Sequence, residues 1–231
     1  MKRKKDIEAL LKRSEAAQVE ISKEYEKSLN DREISAELRI DIKDFFGNLR
    51  STLDYIAHDI VEAYCPNANP RNILYFPIRS DQRNFDIEIN RSYPDLPINK
   101  HAVYTILNAI QPFASNGNLW LSHFNKLNNE NKHERLVPQT RTETKRITVT
   151  GQHGGSVSWG PGVTFGGKVS IMGVPIDPST QLPVPNNVVK TEIVTWVDFQ
   201  FDGLNVSALW LIIESLKMIK KLFSDLHGEL Y

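Results

Sequence analysis

Apolar residues in the first part of this chain recur in steps of three and four. Between residues 5 and 29 they occupy Ile7, Leu11, Ile21, Tyr25 and Leu29 among many charges. That is the spacing of an amphipathic helix, with Glu8 and Lys12 at a supportive i, i+4 separation. A turn near Asn30-Asp31 leads to a second helix over residues 34–64, whose stripe runs Leu38, Ile42, Phe45, Leu49, Leu53, Ile56 and Ile60. Cys65-Pro66-Asn67-Ala68-Asn69-Pro70 ends it, because proline cannot continue the hydrogen-bond ladder and asparagine favours turns. From there to about residue 97 the pattern predicts irregular structure, including Tyr75-Phe76-Pro77-Ile78. Helices are expected again over residues 98–111, closed by Pro112 and Asn116-Gly117, and over residues 118–135, where Trp120, Phe124 and Leu127 share a face.

After Pro138 the period changes to two. Arg146-Ile147-Thr148-Val149-Thr150 alternates, as do residues 163–172 and 189–201, the last with Ile193, Thr195, Val197, Phe199 and Phe201 on one face. Eight of the twelve glycines fall between Gly151 and Gly173, so the connections there read as the turns of a small antiparallel sheet of three or four strands. A proline-rich loop follows at Pro175, Pro178, Pro183 and Pro185. From Asn205 helical spacing returns through Leu209, Ile212, Leu216, Ile219, Phe223 and Leu226, on a helix expected to pack beside the second. The fold class is therefore mainly α with a small antiparallel β insertion (α+β). It is read as a single domain, a helical bundle of residues 1–138 and 204–231 with a β-rich insertion over 139–203.

Composition narrows the setting. At 231 residues and 40% hydrophobic content the chain can bury a real core. Its 28 basic and 28 acidic residues cancel, so any nucleic-acid contact must come from a local patch. The single cysteine, Cys65, cannot form an intrachain disulfide, and the basic start Met1-Lys2-Arg3-Lys4-Lys5 runs into further charges instead of an apolar stretch. The longest unbroken apolar run, Ala208–Ile213, is far below the roughly 20 residues of a membrane span. The expected setting is cytoplasmic, with no membrane partner.

Candidate chemistry concentrates in Asn48-Leu49-Arg50-Ser51-Thr52-Leu53-Asp54-Tyr55-Ile56-Ala57-His58, where Arg50, Asp54 and His58 recur every fourth residue along one side of the second helix. At about 100° per residue this side lies away from the main stripe, among Ile40, Phe46, Ala57 and Val61, and forms a second, half-apolar face. Two readings stand side by side. Arg50 and Asp54 form a structural pair with His58 facing solvent, or His58 is a general acid/base, Arg50 a phosphate ligand and Asp54 their orienting group. The second set suffices for RNA cleavage without metal: a 2′-hydroxyl is deprotonated, the phosphorane stabilised and the leaving oxygen protonated.

A second constellation, Leu127-Asn128-Asn129-Glu130-Asn131-Lys132-His133-Glu134-Arg135, gathers Lys132, His133 and Arg135 at a helix C-terminus, which either complements the helix dipole or forms an RNA or phosphate contact patch together with Asn128. Gly160–Gly167 has neither the strand-to-helix turn nor the Gly-Lys-Ser/Thr of a phosphate loop, and the six histidines show no metal-ligand spacing. No metal and no cofactor are expected. Trp159 and Trp196 read as ordinary core or interface residues, with sheet-face aromatics that stack bases as the alternative.

The segment Asn48–Asp54, the element Phe76-Pro77-Ile78 and Leu127-Asn128 followed by Lys132-His133-Glu134-Arg135 together resemble a loosely defined group of uncharacterised bacterial helical proteins. They also resemble the wider HEPN superfamily of helical ribonuclease and nucleotide-binding domains found in toxin–antitoxin and phage-defence systems. The likeness covers residues 34–136 and the final helix. It implies a HEPN-like bundle, a metal-independent endoribonuclease with catalytic Arg50, Asp54 and His58, and a homodimer in which two arginine–histidine pairs face one cleft. Seven residues separate Arg50 from His58 here, a longer gap than that superfamily's motif has. The alternative is a non-catalytic protein–protein interaction module, in which Arg50, Asp54 and Arg135 join helices and a protein partner binds through the first helix or the β insertion.

Overall fold

A computed structural model describes residues 2–31, 34–133, 139–160, 163–201, 203–204 and 206–230, with the side chains of 29–31, 131–133, 141, 144 and 194–197 outside the description. It is an α+β structure, with seven α-helices and six strands among those residues. The chain divides into two compact units, residues 1–140 with 199–231, and residues 141–198.

The first unit is helical. Helix α1 (Lys4–Asp31) buries Ile7, Leu11, Ile21 and Tyr25. The gap in its stripe is filled by Ser14, fully buried with its hydroxyl donating to the Leu10 carbonyl at 2.9 Å, and by Ala17 packed against the core. The small residues let α1 lie close on its neighbours, so its apolar face is occupied within the chain, by α2 (Ala36–Tyr64) and α7 (Ala208–Leu230). Helix α2 begins at Ser35, whose hydroxyl accepts the Leu38 N–H at 3.1 Å, and ends at Cys65-Pro66. Its central Phe46 meets Phe45, Phe124 and Phe201 edge-on, at ring separations of 5.2, 5.9 and 6.0 Å. Phe46 and Ala57 are fully buried. Part of the face read as open to a second copy is thus covered inside the chain.

The stretch read as irregular up to residue 97 contains a helix, α3 (Gln82–Ser92), and one further turn, α4 (Leu96–Asn99). Only Phe85 and Ile89 carry the apolar burial of α3, too few for a periodic signal. Its start is set by Asp81, which accepts the Asn84 N–H at 2.8 Å. The helix expected over 98–111 starts at His101, as α5 (His101–Ala109), because Lys100, at φ −151° and ψ 71°, leaves the helical conformation between it and α4. The Lys100 ammonium pairs with Glu229 of α7 at 2.7 Å. Helix α6 (Leu119–His133) buries Trp120, Leu121, Phe124 and Leu127. Helix α7 starts at Ala208 rather than Asn205, with the Ser207 hydroxyl accepting the Trp210 N–H at 3.2 Å, and lies against α1, α2, α5 and α6. Its buried stripe is Ala208, Leu211, Ile212, Ser215, Leu216, Ile219, Leu222, Leu226 and Leu230, so the expected Leu209 and Phe223 flank it. Tyr25 also ties Phe199 to this core: its hydroxyl accepts the Phe199 N–H at 2.8 Å.

In the second unit, β1 (Gln139–Gly151) pairs antiparallel with β2 (Ser156–Trp159) in a sheet ordered β2-β1-β6, where β6 is Val189–Phe201. A second three-stranded sheet contains β3 (Ser170–Ile171), β4 (Val174–Asp177) and β5 (Leu182–Pro183). The strand read over 163–172 shrinks to Ser170–Ile171, and the proline-rich loop supplies β4 and β5, where Pro175 and Pro183 fit because both strands are short. Val149, Trp159 and Ile176 form its small core, and Trp159 meets Phe165 edge-on at 5.1 Å. On the face of β6 read as apolar, Ile193 is 48% exposed while Phe199 and Phe201 are buried, and the side chains of Thr195 and Val197 lie outside the described residues. Among the described residues no helix is long and apolar enough to cross a membrane.

Candidate functional site

Arg50 and Asp54 face each other across one turn of α2, the Arg50 Nε–H donating to Asp54 Oδ2 at 3.2 Å. Both side chains are largely buried, 11% and 19% exposed. An ion pair withdrawn from water needs further hydrogen bonds to offset its lost hydration, and both partners have them. Asp54 Oδ1 accepts the Phe76 backbone N–H at 2.9 Å, and an Arg50 Nη1–H donates to Asn125 Oδ1 of α6 at 3.3 Å. The guanidinium also sits 5.6 Å from the centre of the Tyr75 ring.

Asp54 is therefore one of three clamps on the extended segment Tyr75–Arg79, which has no strand partner in the ladders described. Tyr93, fully buried, donates its hydroxyl to the Tyr75 carbonyl at 2.7 Å. Burial, and then the charge of Asp54, push that hydroxyl well above the ordinary tyrosine range, so it is a fixed donor. Gln111, also fully buried, donates to the Pro77 carbonyl at 2.8 Å and accepts the Arg79 N–H at 3.0 Å. Backbone groups that a sheet would have paired are paired by side chains instead.

The clamped segment walls a small cleft of about 200 Å³ bounded by Arg50, Tyr75, Arg79, Glu88, Arg91, Asn125 and Asn129. Glu88 Oε2 accepts from Arg79 at 2.6 Å and from Arg91 at 2.7 Å, while its Oε1 accepts from Ser92 at 2.6 Å. Burial pushes the Glu88 carboxyl up, but the bonds from Ser92 and the two arginines outweigh it and hold the group below the ordinary glutamate range.

The catalytic set read from the sequence separates in space. Arg50 and Asp54 are brought together; His58, half-buried one turn further on, has no hydrogen bond or ion pair among the described residues and does not line the Arg50 cleft. Eight residues of helix place it about 12 Å along the axis from Arg50. Asn128, 5% exposed, donates to the Phe124 carbonyl at 2.9 Å and lines a different groove with Arg13, Lys43 and Ser51. Lys132 and His133 lie in the last turn of α6 with side chains outside the described residues, and Arg135 lies outside them altogether. Asn125, Arg79, Glu88, Arg91 and Gln111 were not singled out in the sequence. Asn125 and Asn129 stand one turn apart, the only hint of a shared face; the others become neighbours through long-range packing.

Among the described residues no group of three or more His, Cys, Asp or Glu side chains is gathered as for a metal ion. Comparison of the chain with protein-family models, with curated proteins and with solved structures finds no match.

Proposed function

We infer that this chain is a non-catalytic recognition module, cytoplasmic in setting, in which Arg50 and Asp54 hold the receptive surface in shape. One observation carries the reading: each carboxylate oxygen of Asp54 accepts a hydrogen bond, from Arg50 and from the Phe76 backbone, and a second Arg50 donor reaches Asn125 of α6, so the pair ties α2 to its neighbours. An orienting carboxylate needs an oxygen on the histidine, and the bonds of Asp54 go to Arg50 and Phe76 instead. The Arg50 cleft, preformed and polar, is the surface offered to a ligand or partner.

The second reading, a HEPN-like metal-independent endoribonuclease acting on RNA as a homodimer, draws support from one feature. His58 shares a helix with Arg50 and has no bonded partner among the described residues. RNA incubated in EDTA with wild type and with His58→Ala separates the two. The recognition reading expects no cleavage that depends on His58; cleavage lost in His58→Ala overturns it. Sedimentation of the same samples reports whether a second copy is bound.

A further inference from the structure

The cleft beside Arg50 has more positive charge on its walls than it has partners for. Three guanidiniums, Arg50, Arg79 and Arg91, border it, against one carboxylate, Glu88, with Asp54 behind. Each guanidinium has five N–H donors. The acceptors recorded are Asp54 and Asn125 for Arg50, the Ile78 carbonyl and Glu88 for Arg79, and Glu88 for Arg91. Most of the donors therefore have no acceptor among the described residues, and the amides of Asn125 and Asn129 border the same space. The walls come from three separate parts of the fold: α2, the clamped segment with α3, and α6. Donors are thus offered from several directions around about 200 Å³. A planar carboxylate is satisfied by one guanidinium fork, whereas a tetrahedral oxyanion accepts from several at once. At the lip, Tyr75 and Ile73 are exposed apolar groups.

We propose that this cleft binds a phosphate group, free or as a monoester, with Arg79 and Arg91 as its principal ligands and Arg50 as the positively charged floor. The proposal rests on the recognition reading in taking the Arg50 face as the receptive surface. Glu88 Oε2 accepts from both Arg79 and Arg91, which fixes the two guanidiniums side by side at the wall of the cleft before a ligand arrives. Inorganic phosphate and phenyl phosphate serve as probes for the two sources, the second adding an apolar group for Tyr75 and Ile73.

The test is calorimetric titration of the full chain with each probe in a chloride buffer of matched ionic strength, together with acetate. Saturable binding of either phosphate at one site, with acetate at least tenfold weaker, is expected. Arg91→Gln, an exposed position whose loss leaves the fold intact, weakens it by about tenfold, and Arg79→Gln by at least as much. Lys23→Gln, on the exposed surface of α1 and not among the residues lining the cleft, leaves it unchanged. Phosphate heats no larger than chloride, acetate binding as tightly as phosphate, or Arg91→Gln binding like wild type would each overturn the proposal. His58-dependent RNA cleavage fails the recognition reading and phosphate titration fails the ligand, so the two failures are told apart.

Discussion

At the residue scale, what decides each polar group's role is how many of its hydrogen-bonding positions are already engaged. Gln111 is the clearest case, since its amide satisfies the Pro77 carbonyl and the Arg79 N–H in a place closed to water. Gln111→Leu removes both partners and leaves two backbone groups unpaired, at a cost of about 1–3 kcal/mol. Urea unfolding measures it, and hydrogen exchange should rise at Phe76–Arg79 ahead of the rest of the bundle. Glu88 shows the electrostatic counterpart. Its folded-state acidity is shifted below the ordinary value, so its stabilisation is fully present above the unfolded carboxyl range, near 4.5, and is lost as pH falls through the folded value. Unfolding midpoints of wild type should therefore fall on acidification below about pH 4.5 more steeply than those of Glu88→Gln. Cys65 is governed by burial first and by Asp95 second, which push its thiol up to about 11. Native protein at pH 8 should react with an alkylating reagent far more slowly than the same protein in urea, in which the thiol is freed.

At the element scale, the long periodic helices were legible and the short capped ones were not. The stripes of α1, α2 and α7 repeat over many turns, so a local pattern is enough. Helix α3 depends on a single cap at Asp81 and two apolar residues, and α4 is divided from α5 by one non-helical residue, Lys100, whose ammonium pairs with Glu229 far along the chain. Strands β4 and β5 were hidden by their prolines, which are tolerated because each strand contributes few ladder bonds. Where a cap is the local determinant, its removal is measurable. Ser35→Ala takes away the acceptor of the Leu38 N–H and should cost about 1 kcal/mol in thermal or urea unfolding, with Ser35→Gly costing less.

At the scale of the whole molecule, the Arg50–Asp54 pair was readable from its i, i+4 spacing, but its meaning came from residues far away in sequence. Phe76, Asn125 and Tyr75 convert an exposed-type helix pair into a junction of α2, an extended segment and α6. No spacing rule could supply those partners. His58 keeps the same spacing and acquires none of them, so of three residues in one line only Arg50 and Asp54 are joined by a hydrogen bond. The central point is that Arg50 and Asp54 act together on the fold. A double-mutant cycle of Arg50→Ala and Asp54→Ala, read by urea unfolding, is the direct measurement. The account predicts that each single change costs about 1–3 kcal/mol and that the two are coupled by about 1 kcal/mol or more. Additive effects, or single costs near zero, would contradict it.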